Sequence, residues 1–293
     1  MTANIIDGKQ TAAQMREELK QKVALLKSKG IRPGLAVVLV GQDPASQSYV
    51  AAKEKACEEI GIYSDDNRLP AETTEQQLLE LVGKLNADPR IHGILVQLPL
   101  PKHIDENKIL LAIHPDKDVD GFHPVNVGKM VVGQECFLPC TPHGVIQLLL
   151  RHNVVLDGAE VVVVGRSNIV GKPVANMLLQ KSKTGNATVT VCHTRTKDIA
   201  AHCRRADIII AAAGRPNTIT ADMVKDGAVV IDVGVNRIED AGRKCGYRLV
   251  GDVDFEAVSR KASLITPVPG GVGPMTITML LYNTVQAAER SAV

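Results

Sequence analysis

The chain has 293 residues, long enough for two domains with real cores, and its 45% hydrophobic and 23% charged residues are ordinary for a soluble enzyme. Lys plus Arg number 34 against 32 Asp plus Glu, a net charge of +2 that argues against a nucleic-acid partner. No apolar run approaches the ~20 residues of a membrane helix, and MTANIIDGKQ carries no basic–apolar–small leader pattern, so a cytoplasmic protein with no membrane contact is expected.

In chain order, Thr11 to Lys29 reads as an amphipathic helix, with Ala12, Met15, Leu19, Val23 and Leu26 at three-to-four spacing and Gly30 as its stop. Leu35 to Val40 is a buried strand. A helix over Ser46 to Ile60 follows, closed by Gly61. Ile62 to Leu69 is a weak strand, Glu75 to Asn86 a helix, Ile91 to Leu98 a strand and Asp105 to Ile113 a short helix. This alternation predicts an α/β domain with a mostly parallel sheet. Pro115 to Pro142 is rich in Gly, Pro and polar residues and predicts a long segment without regular structure. A helix over His143 to Asn153 leads into the second half. There Val161–Val164, Thr188–Cys192, Asp207–Ala213 and Ala228–Val233 read as buried parallel strands, each separated from the next by a helix-like segment. Met275 to Glu289 is a final helix.

The stretch AEVVVVGRSNIVGKP, Ala159 to Pro173, is a strand, a glycine turn and a helix start. That order suits a dinucleotide fold, in which glycine lets the backbone approach a pyrophosphate and the helix N-terminus offers N–H groups to it. Ser167 stands where the second glycine of G-x-G-x-x-G belongs, and a bare strand–helix turn is the alternative. NAD-binding folds usually place an acid after the second strand. Here the chain reads Cys192-His193-Thr194-Arg195-Thr196. With Arg166 in the turn and no carboxylate, a 2′-phosphate and hence NADP is favoured over NAD.

Four further stretches carry possible chemistry. Tyr49 and Lys53 lie on one helix face. A desolvated lysine there could transfer protons or form a Schiff base, and a solvated helix lysine is the plain alternative. Gln97, in Val96-Gln97-Leu98-Pro99-Leu100-Pro101, sits at the carboxyl end of a strand, where open α/β sheets bind ligands; it could equally just cap the strand. Asp116-Lys117-Asp118-Val119-Asp120-Gly121-Phe122 holds three acids but lacks the later Glu of a calcium loop. One of its carboxylates could hold a ring bearing adjacent N–H donors, or the stretch is a polar turn. Thr266 to Thr276, TPVPGGVGPMT, is a loop of small residues and fixed shape that suits a flat ligand.

YVAAK, VQLPLP, DKDVDGF, GRSNIVGKP and PGGVGPMT occur in that order along the whole chain, and together they resemble the bifunctional methylenetetrahydrofolate dehydrogenase/methenyltetrahydrofolate cyclohydrolase family. The resemblance implies an α/β fold of two domains, with an active cleft between a folate-binding domain (1–141 and 275–293) and a Rossmann-type NADP domain (142–274). It implies Lys53, Gln97, Asp120 and Tyr49 as catalytic residues: Lys53 transfers protons, Gln97 tunes it, Asp120 takes the pterin N–H groups and Tyr49 stacks on the pterin or flanks the reacting centre. Substrate would be lined by Tyr49, Val50, Ala51, Ala52, Lys53, Val96, Gln97, Leu98, Asp120, Pro269, Gly270 and Gly273, with Ser46 nearby. NADP would be held by Gly165, Arg166, Ser167, Thr194, Arg195 and Val235. No metal is implied. The partners would be one-carbon derivatives of tetrahydrofolate and a second copy of the chain in a homodimer.

Three other readings compete. A dehydrogenase of a small acid leaves Gln97 and Asp120 unexplained. A sensor that binds NADP without turnover predicts no product. A Schiff-base lyase using Lys53 predicts trapping by borohydride.

Overall fold

A computed structural model describes residues 2–240, 242–243 and 246–291. The chain runs β1 (Asn4–Ile5), α1 (Gly8–Ser28), β2 (Gly34–Val40), α2 (Pro44–Ile60), β3 (Tyr63–Leu69), α3 (Glu75–Ala87), β4 (Gly93–Val96), α4 (Glu106–Ala112), α5 (Pro124–Val131) and α6 (Cys140–Arg151). It continues through β5 (Glu160–Val164), α7 (Gly171–Leu179), β6 (Thr188–Cys192), α8 (Ile199–Arg205), β7 (Ile208–Ala211), β8 (Val229–Asp232), β9 (Asn236–Glu239), β10 (Tyr247–Val250), α9 (Phe255–Val258), β11 (Leu264–Ile265) and α10 (Val272–Arg290).

The molecule divides into two compact units. One comprises residues 13–140 and 277–293, the other residues 1–12 and 141–276. In the first, a three-stranded parallel sheet has the order β3-β2-β4. All seven residues of β2 are buried, so both its faces are covered, as parallel sheets require. Ala36, Val38 and Val40 pack with Leu78, Val82 and Leu85 of α3 and with Ile109 of α4. Each of these Val, Leu and Ile side chains stabilises the fold by roughly 1.5–3 kcal/mol when fully buried. Helix α3 starts on a capping box, Thr74 with Gln77, and α2 starts on Asp43, whose carboxylate accepts the Ser46 N–H. Ala12, Met15, Leu19, Val23 and Leu26 of α1 are all buried, as their periodicity predicts.

The second unit holds a six-stranded parallel sheet of order β1-β11-β8-β7-β5-β6, with the antiparallel hairpin β9-β10 as a separate ribbon. Its core includes Val162, Val164, Ile209, Ala211, Val230 and Ile265.

The opening residues pair with the second sheet: Asn4 lies beside Leu264 and Ile5 beside Ile265, and residues 1–12 group with that unit. Two residues of strand are too short to announce themselves by periodicity. Residues 115–142 are not irregular, because a 3₁₀ turn at Pro115–Lys117, all of α5 and the start of α6 lie within them. Helix α5 begins on the His123 ring, which accepts the Val125 N–H, and on Pro124 at its first turn. Between β7 and β8 the connection contains only a 3₁₀ turn, Ala221–Met223, instead of a helix. Among the described residues no helix is long and apolar enough to cross a membrane.

Candidate active site

In the first unit β2 lies between β3 and β4, so the chain reverses its direction of travel across the sheet between β2 and β4. The crevice outside the carboxyl ends of such strands is where open α/β sheets bind ligands. Helix α2 leaves the end of β2 and carries Lys53; Gln97 follows β4 directly. The two meet: the Lys53 ammonium donates to Gln97 Oε1 at 2.8 Å. Gln97 is fixed at both ends, since its backbone N–H donates to Val38 O at 2.8 Å and its Nε2 to Leu98 O at 2.7 Å. Its amide therefore cannot flip without losing a bond.

Lys53 is only 9% exposed. Burial lowers its pKa below the ordinary lysine value, opposed chiefly by the charge of Asp120. Asp120 is half-buried, and burial raises its pKa against the Lys53 cation and a hydrogen bond from the Cys140 thiol. Both groups are thus pushed toward their neutral forms. An amine whose pKa is lowered in this way gives up its proton more readily than a solvated lysine does.

The three acids of DKDVDG have three different surroundings. Asp116 is exposed. Asp118 is buried, sits in a single parallel bridge beside Ile94 of β4, and accepts from the backbone N–H groups of Phe122 and His123 and from Asn126 Nδ2. Burial raises its pKa to about 6. It is a structural acid that shapes the turn. Asp120, two residues on, is the one in electrostatic reach of Lys53. Gly121 closes the turn with φ +77°, and a Cβ there would strike the Leu138–Pro139 backbone.

The rest of the expected substrate set divides by exposure. Tyr49 is 52% exposed, one helical turn before Lys53. Ala51 and Ala52 are exposed and Leu98 is half-buried. Val50 and Val96 are core residues and Ser46 is buried. A hydrophobic side chain next to a site residue on a helix or strand points elsewhere, because neighbouring positions face different sides.

In the second unit the glycine turn follows β5. Gly165 has φ +135°, and a Cβ there would lie 2.0 Å from Ala212 O at the end of β7. The glycine thus lets the ends of β5 and β7 approach backbone to backbone at the point where the strand order reverses. Ser167 Oγ accepts the N–H groups of Val170 at 3.1 Å and Gly171 at 3.4 Å. It does the capping work that Val170, at the N-cap of α7, cannot. Arg166 and Arg195 stand just past the ends of the paired strands β5 and β6, both exposed, and no carboxylate among the described residues pairs with either. Thr194 is exposed beside them and Val235 is 52% exposed after β8. A glycine turn at the end of β5 and two exposed guanidiniums with no carboxylate partner among the described residues fit a dinucleotide bearing an extra phosphate.

Pro269 and Gly273 are exposed and Gly270 half-buried in the loop before and at the start of α10. A cavity of about 680 Å³ lies beside this loop, lined by Asp232, Gly251, Pro267, Val268 and Pro269 among others.

The sequence reading overlooked a buried carboxylate pair. Asp232, at the end of β8, accepts the N–H groups of Gly234, Asp252 and Val253. Asp252 accepts those of Ala213 and Gly214 and the Asn236 amide. The pair therefore ties together the loops that leave β7 and β8. Burial raises the Asp232 pKa to about 6. The available signal was an acid ending an apolar strand beside a glycine, Asp232-Val233-Gly234 and Gly251-Asp252: a Cβ at Gly234 would meet the Asp252 carboxylate, and one at Gly251 that of Asp232.

Residues 6–120 match the family model of the tetrahydrofolate dehydrogenase/cyclohydrolase catalytic domain, and residues 139–292 match that of its NAD(P)-binding domain. The chain is 63% identical over 295 residues to the bifunctional protein FolD of Syntrophus aciditrophicus, covering 100% of this chain and 99% of the relative. The solved structure of the bifunctional methylenetetrahydrofolate dehydrogenase/cyclohydrolase from Campylobacter jejuni superposes with a TM-score of 0.93 at 54% identity, covering 99% of each chain. That of the Trypanosoma brucei dehydrogenase-cyclohydrolase, solved with NADP cofactor and an inhibitor, gives 0.93 at 43% identity and covers 100% of this chain and 99% of its own. With both halves matched and relatives this similar over their full length, the chain belongs to the tetrahydrofolate dehydrogenase/cyclohydrolase family.

Proposed function

We propose that the protein oxidises 5,10-methylenetetrahydrofolate to the 5,10-methenyl cation with NADP and then hydrolyses that cation to 10-formyltetrahydrofolate. The observation that carries the residue assignment is the 2.8 Å bond between a buried, pKa-lowered Lys53 and a doubly anchored Gln97.

Oxidation removes a hydride from the bridging methylene carbon, and no proton leaves that carbon. Bound NADP supplies the hydride acceptor. The protein has to orient and to avoid repelling the positive product. A neutral Lys53 meets the second need, and the growing positive charge lowers its pKa further. Asp120 accepts the pterin N–H donors and sets the ring's orientation. Tyr49 offers its ring as a stacking face. Hydrolysis adds water to the cationic carbon with loss of one proton to Lys53; the resulting carbinol loses its hydroxyl proton to solvent as C=O forms, and the bond to N5 breaks as Lys53 returns its proton to N5, so one proton is released overall. Throughout, Gln97 Oε1 holds one amine hydrogen and so aims the nitrogen lone pair.

Gly165 and Ser167 hold the cofactor's pyrophosphate, Arg166 and Arg195 its 2′-phosphate, with Thr194 and Val235 alongside; Pro269, Gly270 and Gly273 present backbone to the folate. The folate/catalytic domain comprises 1–141 and 275–293 and the cofactor domain 142–274, whose loop at Pro269 to Gly273 also reaches the folate. The protein acts as a homodimer in the cytoplasm, and light scattering of the purified protein at twice the 31.4 kDa chain mass is the expected result.

The deciding assay separates the two steps. Lys53→Met should abolish hydrolysis of added methenyltetrahydrofolate while NADP still binds. Undiminished hydrolysis would remove Lys53 from the mechanism.

A further inference from the structure

The three-stranded sheet has a second end. Strands rise about 3.3 Å per residue, so the start of β2 at Gly34 lies about 20 Å from the carboxyl edge that carries Lys53 and Gln97. At this amino end a cavity of about 1050 Å³ opens, the larger of the two cavities described in this protein. Its lining includes Arg32, Arg90, Lys117 and Arg290 against a single carboxylate, Asp116.

The cations come from separate elements and are held differently. Arg90 is engaged by Asp88 and Arg290 by Glu135. Lys117, on the 3₁₀ turn, is anchored by the Leu85 and Asp88 carbonyls at 3.2 and 2.8 Å, which leaves its remaining N–H without either carbonyl. Arg32, just before β2, is exposed and lies over the Tyr63 ring, 5.5 Å from its centroid, with no carboxylate partner among the described residues. Stacking orients the guanidinium while leaving its edge free to donate. His92 adds a neutral donor. Its Nδ1 accepts the Gly34 N–H at 3.1 Å, so in the neutral ring Nε2 carries the proton. Burial, and then Lys117, lower its pKa, against a hydrogen bond to the Arg90 backbone.

None of these groups is used by the chemistry at the other edge. We propose that this pocket is a separate anion site that takes the phosphate chain of a nucleoside triphosphate, with Arg32 and Lys117 as the charged contacts and His92 as the neutral donor. The volume exceeds what a single phosphate fills and lies at the top of the range for small-molecule sites. Two fixed donors and one pre-oriented guanidinium from three elements match a chain of adjacent phosphates better than a lone carboxylate.

The test is calorimetric titration of the full chain, held in saturating NADP so that the cofactor's phosphate contacts are filled, with ATP, inorganic triphosphate and adenosine as probes. One saturable site per chain is expected, binding ATP more tightly than triphosphate and adenosine not at all. Arg32→Glu should weaken ATP binding by about tenfold or more, the loss of one charge-assisted contact. Arg32→Gln should weaken it in the same direction by less. Lys20→Glu, an exposed charge reversal on α1, should change it by less than about twofold. No saturable binding of either phosphate probe, an unchanged affinity in both Arg32 variants, or an equal loss in Lys20→Glu would overturn the site. Equal affinity for ATP and triphosphate would overturn the nucleoside part.

Discussion

Two carboxyl edges of two parallel sheets solve opposite electrostatic problems in this protein. At the end of β2 and β4, Lys53 is buried against Gln97 and pushed toward neutrality. At the end of β5 and β6, Arg166 and Arg195 are exposed, with no carboxylate partner among the described residues. The topological device is the same, a crevice where strand order reverses. Only the solvation differs. A cation that must exchange protons has to be desolvated, and a lysine can be. A cation that must hold a phosphate has to remain charged, and arginine does so in any environment.

Swapping these roles is the sharpest way to break the comparison. Lys53→Met should cost about 10²–10⁴-fold in methenyl hydrolysis, the usual size of general acid–base catalysis; stopped-flow loss of methenyl absorbance measures it. Lys53→Arg should fail as badly, because a guanidinium cannot be made neutral, and a fully active Lys53→Arg variant would mean that charge and not proton transfer matters there. On the other edge, Arg166→Ala should raise KM for NADP by about tenfold to a hundredfold and leave that for NAD nearly unchanged, a difference worth roughly 1.5–3 kcal/mol. Equal effects on the two cofactors would take the 2′-phosphate away from Arg166.

Gln97→Leu sharpens the account of Lys53 without removing it. Gln97 Oε1 stabilises the ammonium more than the amine, so its loss lowers the lysine pKa further. The alkaline-rising limb of the hydrolysis pH profile should move to lower pH, with a fall in rate from lost aiming. A limb that stays in place would show that it reports another group.

The last expected effect is on stability instead of rate and concerns the acids. Asp118 titrates near 6 in the folded state and about 3.9 when unfolded. The folded state therefore holds a proton that the unfolded state has already lost. The stability this contributes is complete below about pH 4 and is lost as pH rises through about 6, by roughly 3 kcal/mol at most. Asp118→Asn should flatten that part of the stability–pH curve in urea denaturation, and it should leave the lysine-dependent limb of the activity profile alone. Asp120→Asn should do the reverse, shifting the activity profile through Lys53.

Much of this was legible along the chain. The buried strands announced themselves as β-branched runs, and α1, α3 and α6 by their periodicity and stops. The shortest elements did not: β1 and β11 have two residues each and exist only because they pair with each other and β11 with β8. Helix α5 was hidden because its capping side chain, His123, and its supporting acid, Asp118, look like loop composition. The Asp232–Asp252 pair was hidden because its members are far apart in sequence and each alone resembles a turn residue.

The sequence by itself determined the chemistry on offer: a lysine one turn after a tyrosine, an amide ending a strand, a glycine turn carrying arginines, and the family to which their order belongs. It also determined the parallel α/β architecture, since continuous apolar runs must be covered on both faces. Tertiary structure decided which of three acids reaches Lys53, that Val50 and Val96 are buried, and that the first strand belongs to the second sheet. Above all it decided that Lys53 is desolvated. Burial and pairing are set by residues 44 apart in the chain, as Lys53 and Gln97 are, and no local pattern encodes the dielectric around a side chain.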